Sequence, residues 1–323
     1  MDAIGGYFGL SLCKHSNELF SELIHLNTGR NAFEYILKVR GYKKVFIPYY
    51  TCDVLLEPLA KLQIEYEFYD VNNQLEAIFD LGSLKEKDGF LITNYFGLKT
   101  DYIKKMGTSV RNLIVDNAQA LFSKPELNID TFYSPRKFVG IPDGGLLSIN
   151  TRIKEILELD KSCGRFSHLI KRIDYSAEEG YGDFKNNDEQ LNNCPIKEMS
   201  KLTKSLMQSI DFEYVRDSRI RNFQLLHEFL QDKNELDINL KEGDVPMVYP
   251  LKIENAEMLK QKLLSQKIYC ATYWPNVLEW CNEEKNAYKL TEQIIALPID
   301  QRYGAKEMNN IIETISAALE HTD

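Results

Sequence analysis

Several features are missing from this 323-residue sequence, and each absence removes a class of protein. No apolar run approaches the about 18 residues of a membrane span. There is no internal repeat and no low-complexity segment. The six cysteines, Cys13, Cys52, Cys163, Cys194, Cys270 and Cys281, form no C-x-x-C pair and no Cys/His ligand spacing. That is the pattern of reduced thiols in a cytoplasmic protein, and no metal site is expected. The first residues, MDAIGGYFGLSLCKHS, carry no basic n-region and no long apolar core, so they do not read as a signal peptide. No G-x-G-x-x-G follows a strand-like run, which disfavours a nicotinamide-binding Rossmann enzyme. Positive charge is in short supply: 39 Lys and Arg face 48 Asp and Glu, a net charge of −9. Dispersed basic residues in an acidic chain argue against a nucleic-acid surface.

What is present fits a globular protein: 44% of the residues are hydrophobic, and the length allows two domains. Short β-type runs alternate with helical stretches. Lys44–Pro48, the helix Val54–Leu62 and Tyr66–Asp70 read as a βαβ crossover, hence parallel strands. Further strands are expected at 89–93, Leu113–Asp116 and Leu146–Ile149. The expectation is an α/β fold with a mostly parallel sheet. Helices are also expected at Ser16–His25, Arg152–Leu159, Ser209–Gln231, Ala256–Ser265 and Lys306–Leu319. Strands at Val245–Leu251, Ile268–Tyr273 and Ile294–Pro298 would give the C-terminal part an α+β character. Glu178–Asn193 is hydrophilic and reads as a mobile loop or an excursion toward a partner subunit. The expected division is an N-terminal arm (1–25), a large α/β domain (26–208), and a linking helix with a small domain (209–323).

One lysine stands in unusual surroundings. Lys137 follows Ser134-Pro135-Arg136 and precedes an apolar run, Phe138–Ile141, then Pro142-Asp143 and the pair Gly144-Gly145. Glycines allow a tight turn and close approach of backbone to a ligand. A lysine held beside such a turn with apolar neighbours is expected to be desolvated. That favours the neutral amine, the form that attacks a carbonyl. Upstream, Leu113-Ile114-Val115 ends in Asp116, an acid at the C-terminal end of a strand, where open α/β sheets bind ligands. Thr28-Gly29-Arg30-Asn31 opens a helix whose first-turn N–H groups suit an anion, with Arg30 as an added cation.

The order Asp116-Asn117-Ala118-Gln119, Ser134…Lys137 and Pro142-Asp143-Gly144-Gly145 resembles the DegT/DnrJ/EryC1/StrS family of sugar aminotransferases. These have the pyridoxal phosphate (PLP) fold type I. The resemblance spans roughly Leu26 to Leu297. It implies PLP as cofactor, with Lys137 its covalent anchor and Asp116 the partner of its ring nitrogen. Gln119 would cover a ring face, and Ser134 with the Gly29–Asn31 turn would hold the phosphate. Departures accompany it. Arg30 and Phe33 replace Thr and Leu of the family's Gly-Thr-x-Ala-Leu segment. Cys52 takes the place of a ring-stacking aromatic, leaving Tyr50, if it is not core, to flank the ring. Ser134 precedes the lysine by three residues rather than five. Asn192-Asn193-Cys194-Pro195 and Met199-Ser200 replace a G-Y-N-x-R-M segment that reaches the neighbouring subunit.

Candidate substrate contacts are Asn94 at a strand end, Trp274 as either a pocket wall or a packing residue, and Arg302 as either a carboxylate clamp or an interface cap. The helix carrying Arg219, Arg221 and Asn222 resembles a structural R-R-x-N helix. The expected activity is amino transfer from an amino acid such as glutamate to a keto-sugar, free or nucleotide-linked, in a homodimer. The alternatives are another fold type I PLP enzyme, such as a lyase or epimerase, and a non-catalytic homologue that binds or regulates.

Overall fold

The computed structural model describes residues 4–15 and 19–319. β1 (Ile24–Leu26) leads into α1 (Gly29–Arg40), followed by β2 (Lys44–Pro48), α2 (Leu56–Lys61), β3 (Glu65–Val71), β4 (Ala77–Ile78), β5 (Asp88–Thr93), α3 (Thr100–Ser109), β6 (Leu113–Asp116), β7 (Asp130–Tyr133) and β8 (Gly145–Ser148). These strands form one sheet in the order β1-β8-β7-β6-β5-β2-β3-β4. Its central strands β7, β6, β5, β2 and β3 run parallel. β8, β1 and β4 join through antiparallel pairings. The mostly parallel α/β sheet expected from the alternation is the one found.

β2, β5, β6 and β7 are buried over nearly their whole length because both faces of the sheet are covered there. Successive side chains point to opposite faces. Val45, Ile47, Leu91, Ile114 and Phe132 pack with Ala32, Phe33, Ile36 and Leu37 of α1. Phe46, Phe90, Ile92, Leu113 and Val115 belong to a separate core on the opposite face. α1 begins where the Thr28 hydroxyl accepts the Asn31 amide and ends at Gly41, whose φ of 61° is the left-handed cap that glycine adopts freely.

Beyond the sheet come α4 (Ser167–Asp174), α5 (Ala177–Gln190), α6 (Lys201–Gln208) and the long α7 (Phe212–Leu230). Then follow β9 (Tyr249–Lys252), α8 (Ala256–Ser265), α9 (Val277–Trp280), α10 (Asn286–Gln293), β10 (Ile294–Leu297) and α11 (Ala305–Leu319). β9 and β10 pair antiparallel in a sheet of their own.

Five local expectations are corrected. The helix expected at Ser16–His25 is not formed: residues 16–18 lie outside the described residues, 19–23 are turns, and Ile24–Leu26 is a strand on β8. Residues 152–159 are irregular rather than helical, held where the Ile153 amide donates to the Tyr35 hydroxyl at 2.9 Å. Most of the hydrophilic stretch 178–193 is not a loop but α5, capped by the Ser176 hydroxyl and opened by Glu178 and Glu179, which suit a helix N-terminus. Residues 268–273 form no strand; only Ala271 bridges to β10, at Ala296. The strand expected at Val245–Leu251 begins late, at Tyr249, because the Met247 amide is drawn away to the Phe96 carbonyl at 2.9 Å.

Candidate active site

The chain lays β3 on one side of β2 and then crosses to place β5 on the other. Between β2 and β5 the connections diverge, and the crevice beyond the carboxyl ends of such strands is where open α/β sheets take ligands. Six sequence candidates sit at these ends. Tyr50 and Cys52 follow β2, Asn94 follows β5, Asp116 ends β6, and Ser134 and Lys137 follow β7.

Asp116 is 7% exposed. Burial pushes its carboxyl above the usual range, opposed by the positive charge of Lys137 and by the Ala118 amide, which donates to Oδ1 at 2.7 Å. Lys137 also acts on the Cys52 thiol, which burial pushes up. The fold therefore puts Asp116, Lys137 and Cys52 within one electrostatic neighbourhood. The expectation of a desolvated lysine is not met. Lys137 ends the turn Pro135–Lys137 and is exposed, because that turn carries it off the sheet edge.

The start of α1 meets the same region. A Cβ on Gly29 would stand 3.4 Å from the Ser134 Cβ and 3.2 Å from the Tyr133 carbonyl. Gly29 and Ser134 are thus in contact. A Cβ on Gly145 would overlap the Thr28 carbonyl and stand 2.6 Å from the Gly29 nitrogen. The paired glycines after Lys137 are there so that β8 can reach the start of α1. The side chains beside Gly29 are committed elsewhere. Arg30 is paired with Glu57 and donates to Asn192 Oδ1 at 3.0 Å, so it is no free cation. Asn31 is fully buried and donates to Asn27 Oδ1 at 3.0 Å and to the Pro195 carbonyl at 2.7 Å.

Tyr50 is fully buried against Tyr95 and Trp274, with ring centroids 5.3 and 5.0 Å away, so it is core rather than a ring-stacking wall. Trp274 is a packing residue by the same contacts. Gln119 lies in the tight turn that follows Asp116. Its Oε1 accepts the Phe96 amide at 2.9 Å, while its Nε2 is buried without a hydrogen-bond partner among the described residues. Asn94 is occupied at both ends, donating to Ser123 at 3.2 Å and accepting the Lys99 amide at 2.9 Å. Arg302 forks onto Asp300 at 2.6 and 2.8 Å, so any carboxylate clamp would compete with that acid.

No protein-family model matches this sequence, and no curated protein matches it. Among solved structures, the chain is similar to a DegT/DnrJ/EryC1/StrS aminotransferase from Brucella abortus, with 18% identity, 91% of this chain and 85% of that chain covered, and a TM-score of 0.65. A putative sugar aminotransferase from Streptococcus pneumoniae in its PLP form gives 15%, 97%, 93% and 0.65. NtdA from Bacillus subtilis with bound PMP gives 14%, 92%, 73% and 0.62. The fold is that of these aminotransferases.

Within this aminotransferase fold the residues present fit PLP. Ser134 stands against the start of α1, where a side chain at position 29 would crowd it, and a helix N-terminus suits an anion such as a phosphate. The buried Asp116 carboxylate calls for a cationic partner, and Gln119 Nε2 is an unspent buried donor. Lys137 opens onto a cavity of about 440 Å³. Asp116, Gln119, Ser134, Cys52 and the start of α1 do not line it, so it adjoins those candidates through Lys137 alone, and its walls are residues that sequence reasoning did not single out as a group. His168, Arg172, Tyr181 and Phe184 from α4 and α5 line one side, and Arg219 and Gln301 another. The α5 residues carried no signal because their stretch read as loop. Gln301 stood beside Arg302 and was passed over.

Proposed function

We propose that this chain is a PLP-dependent aminotransferase that passes an amino group from an amino acid such as glutamate to a keto-sugar, free or nucleotide-linked. The observation that carries the reading is the pairing of Asp116 and Lys137. They stand beyond the ends of adjacent parallel strands, with the lysine's charge acting on the buried carboxylate. When bound, PLP supplies an electron sink for charge that develops at the substrate carbon. Lys137 Nζ binds it covalently and, once free, takes and returns the proton of that carbon. Asp116 keeps a proton on the ring nitrogen by offering it a buried anion. Gln119 Nε2 is the donor available to the ring's surroundings. Ser134 and the α1 amides hold the phosphate, without help from the Arg30 side chain. Cys52 lies in the field of Lys137 at the edge of this site. The PLP- and PMP-bound aminotransferase structures of the same fold support the cofactor assignment.

The working unit is a homodimer. No helix among the described residues is long and apolar enough to cross a membrane, and the reading places the enzyme in the cytoplasm. Purified protein mixed with PLP is expected to show the visible absorbance of lysine-bound cofactor, lost in Lys137→Ala. Added glutamate should then bleach that band and release 2-oxoglutarate. A chain that takes up no PLP would end the proposal. One that binds PLP but leaves glutamate nitrogen in place would be a lyase or epimerase.

A further inference from the structure

We propose that Arg219 and Gln301 are positioning residues for Lys137, acting through the carbonyl of the next residue, Phe138. That carbonyl accepts from Gln301 Nε2 at 2.9 Å and from Arg219 Nη2 at 3.2 Å. The other arm of the same guanidinium donates to the Met247 carbonyl at 2.8 Å, and its plane lies 4.6 Å from the centre of the Phe138 ring. Both residues line the cavity onto which Lys137 opens.

The cost of this arrangement points to a role beyond packing. Arg219 is 2% exposed, and a buried guanidinium is expensive unless paired. It has no carboxylate of its own: the nearby Asp300 is held by both arms of Arg302. Burial accordingly pushes the Arg219 pKa down to about 10. An apolar side chain of similar size would fill the same space at less cost. What it would not do is hold two carbonyls at once. One belongs to the residue after Lys137 and the other to the segment leading into β9.

Lys137 needs such an anchor. Its own side chain makes no hydrogen bond or ion pair among the described residues, so apart from the longer-range pull of Asp116 its direction is set by the main chain. On the N-terminal side the turn is closed by Lys137 N to the Ser134 carbonyl at 3.2 Å and Phe138 N to the Pro135 carbonyl at 2.9 Å. On the C-terminal side the Phe138 peptide is held by donors from α7 and from the stretch after β10. The aim of the amine thus depends on C-terminal segments seated against the sheet.

The consequence for cofactor capture rests on the PLP reading above; the anchoring itself does not. Two measurements separate them. Hydrogen exchange of the peptide spanning 132–141 in cofactor-free protein reports the clamp. Borohydride trapping of PLP, followed by mapping of the labelled lysine, reports the aim of Lys137. Gln301→Leu is expected to shift the melting temperature by no more than about 4 °C, as for one lost hydrogen bond. It should speed exchange of that peptide and slow trapping at Lys137 by on the order of tenfold to a hundredfold. Arg219→Met should do the same more strongly. Arg219→Lys, which keeps the charge but not the two-armed fork, should recover little of the trapping rate. If Arg219→Met does not fold, Gln301→Leu decides the matter. Unchanged exchange in the folded variant overturns the clamp. Faster exchange with wild-type trapping overturns the positioning role. A wild-type chain that captures no PLP sinks the functional reading, and the exchange of this peptide then decides the clamp by itself.

Discussion

The Asp116 carboxylate accepts one hydrogen bond, from the Ala118 amide, and otherwise faces an interior that penalises its charge. Its proton is held more tightly in the fold than in the unfolded chain. Stability from this group is therefore present at low pH and lost as pH rises through its titration. Asp116→Asn keeps the shape and removes the buried charge. Without cofactor, the variant's melting temperature is expected to gain on the wild type's as pH rises above the ordinary carboxylate range. Amino transfer should fall by on the order of a hundredfold, as when a preorganised electrostatic partner is lost. A variant with wild-type turnover would remove Asp116 from the site. Arg30 gives the opposite lesson: its charge is taken up by Glu57, so Arg30→Ala should cost stability before it costs PLP affinity. Melting and cofactor titration side by side would show which falls first.

Among the elements, the turn between Lys137 and β8 is held from two directions. Gly145 lets β8 approach the start of α1 at a distance no side chain allows. Gly145→Ala must push the two apart, and is expected to destabilise the fold by about 1–3 kcal/mol and to weaken PLP binding through the displaced start of α1. Chemical unfolding and cofactor titration would measure the two effects. Asp143, fully buried, is the second tether. It accepts from Thr203 in α6 and from Arg165 Nη2 at 3.2 Å, and Arg165 Nη2 also holds Asp160 at 2.6 Å. Two acids share one cation, and burial pushes Asp143 up to about 6. By the same linkage its stabilising contribution is lost as pH rises from about 4 to about 6. Thermal melts of Asp143→Asn should lack that fall, and an identical pH slope in variant and wild type would remove Asp143 as its source.

For the whole molecule, the α4–α5 pair and the N-terminal arm leave apolar side chains uncovered. Ile173 and Tyr175 of the pair are 84% and 73% exposed, and Tyr7 and Phe8 of the N-terminal arm are 98% and 99% exposed. Apolar side chains left this open fit a surface that another subunit covers. Sedimentation is expected to give twice the chain mass of 37.5 kDa. A species of single chain mass at micromolar concentration would leave the site to be built from one copy, with α5 as its own outer wall.

Strand positions were legible because a parallel strand covered on both faces is a short, nearly continuous apolar run bounded by polar residues. Lys44–Pro48 and Leu113–Asp116 carry that signal within four or five residues. Asp116 was legible because it ends such a run, whereas Lys137 stood out by its Ser-Pro-Arg and Gly-Gly flanks; β7 (DTFY), the strand that brings it to the same edge, carried no such signal. α5 was not legible, since a helix with few buried residues shows little apolar periodicity. The failed helix at 152–159 is the converse: Ile153 and Leu157 pack beside the sheet without a helical turn, and Ile156 is 98% exposed. The chain by itself thus determined the parallel sheet and the two groups at its carboxyl edge, because those follow from local patterns repeated in order. Only tertiary structure decided which neighbouring side chains remain available. Whether Arg30 meets Glu57, or Arg219 and Gln301 converge on one carbonyl, depends on contacts across 27, 81 and 163 residues, and no local pattern encodes them.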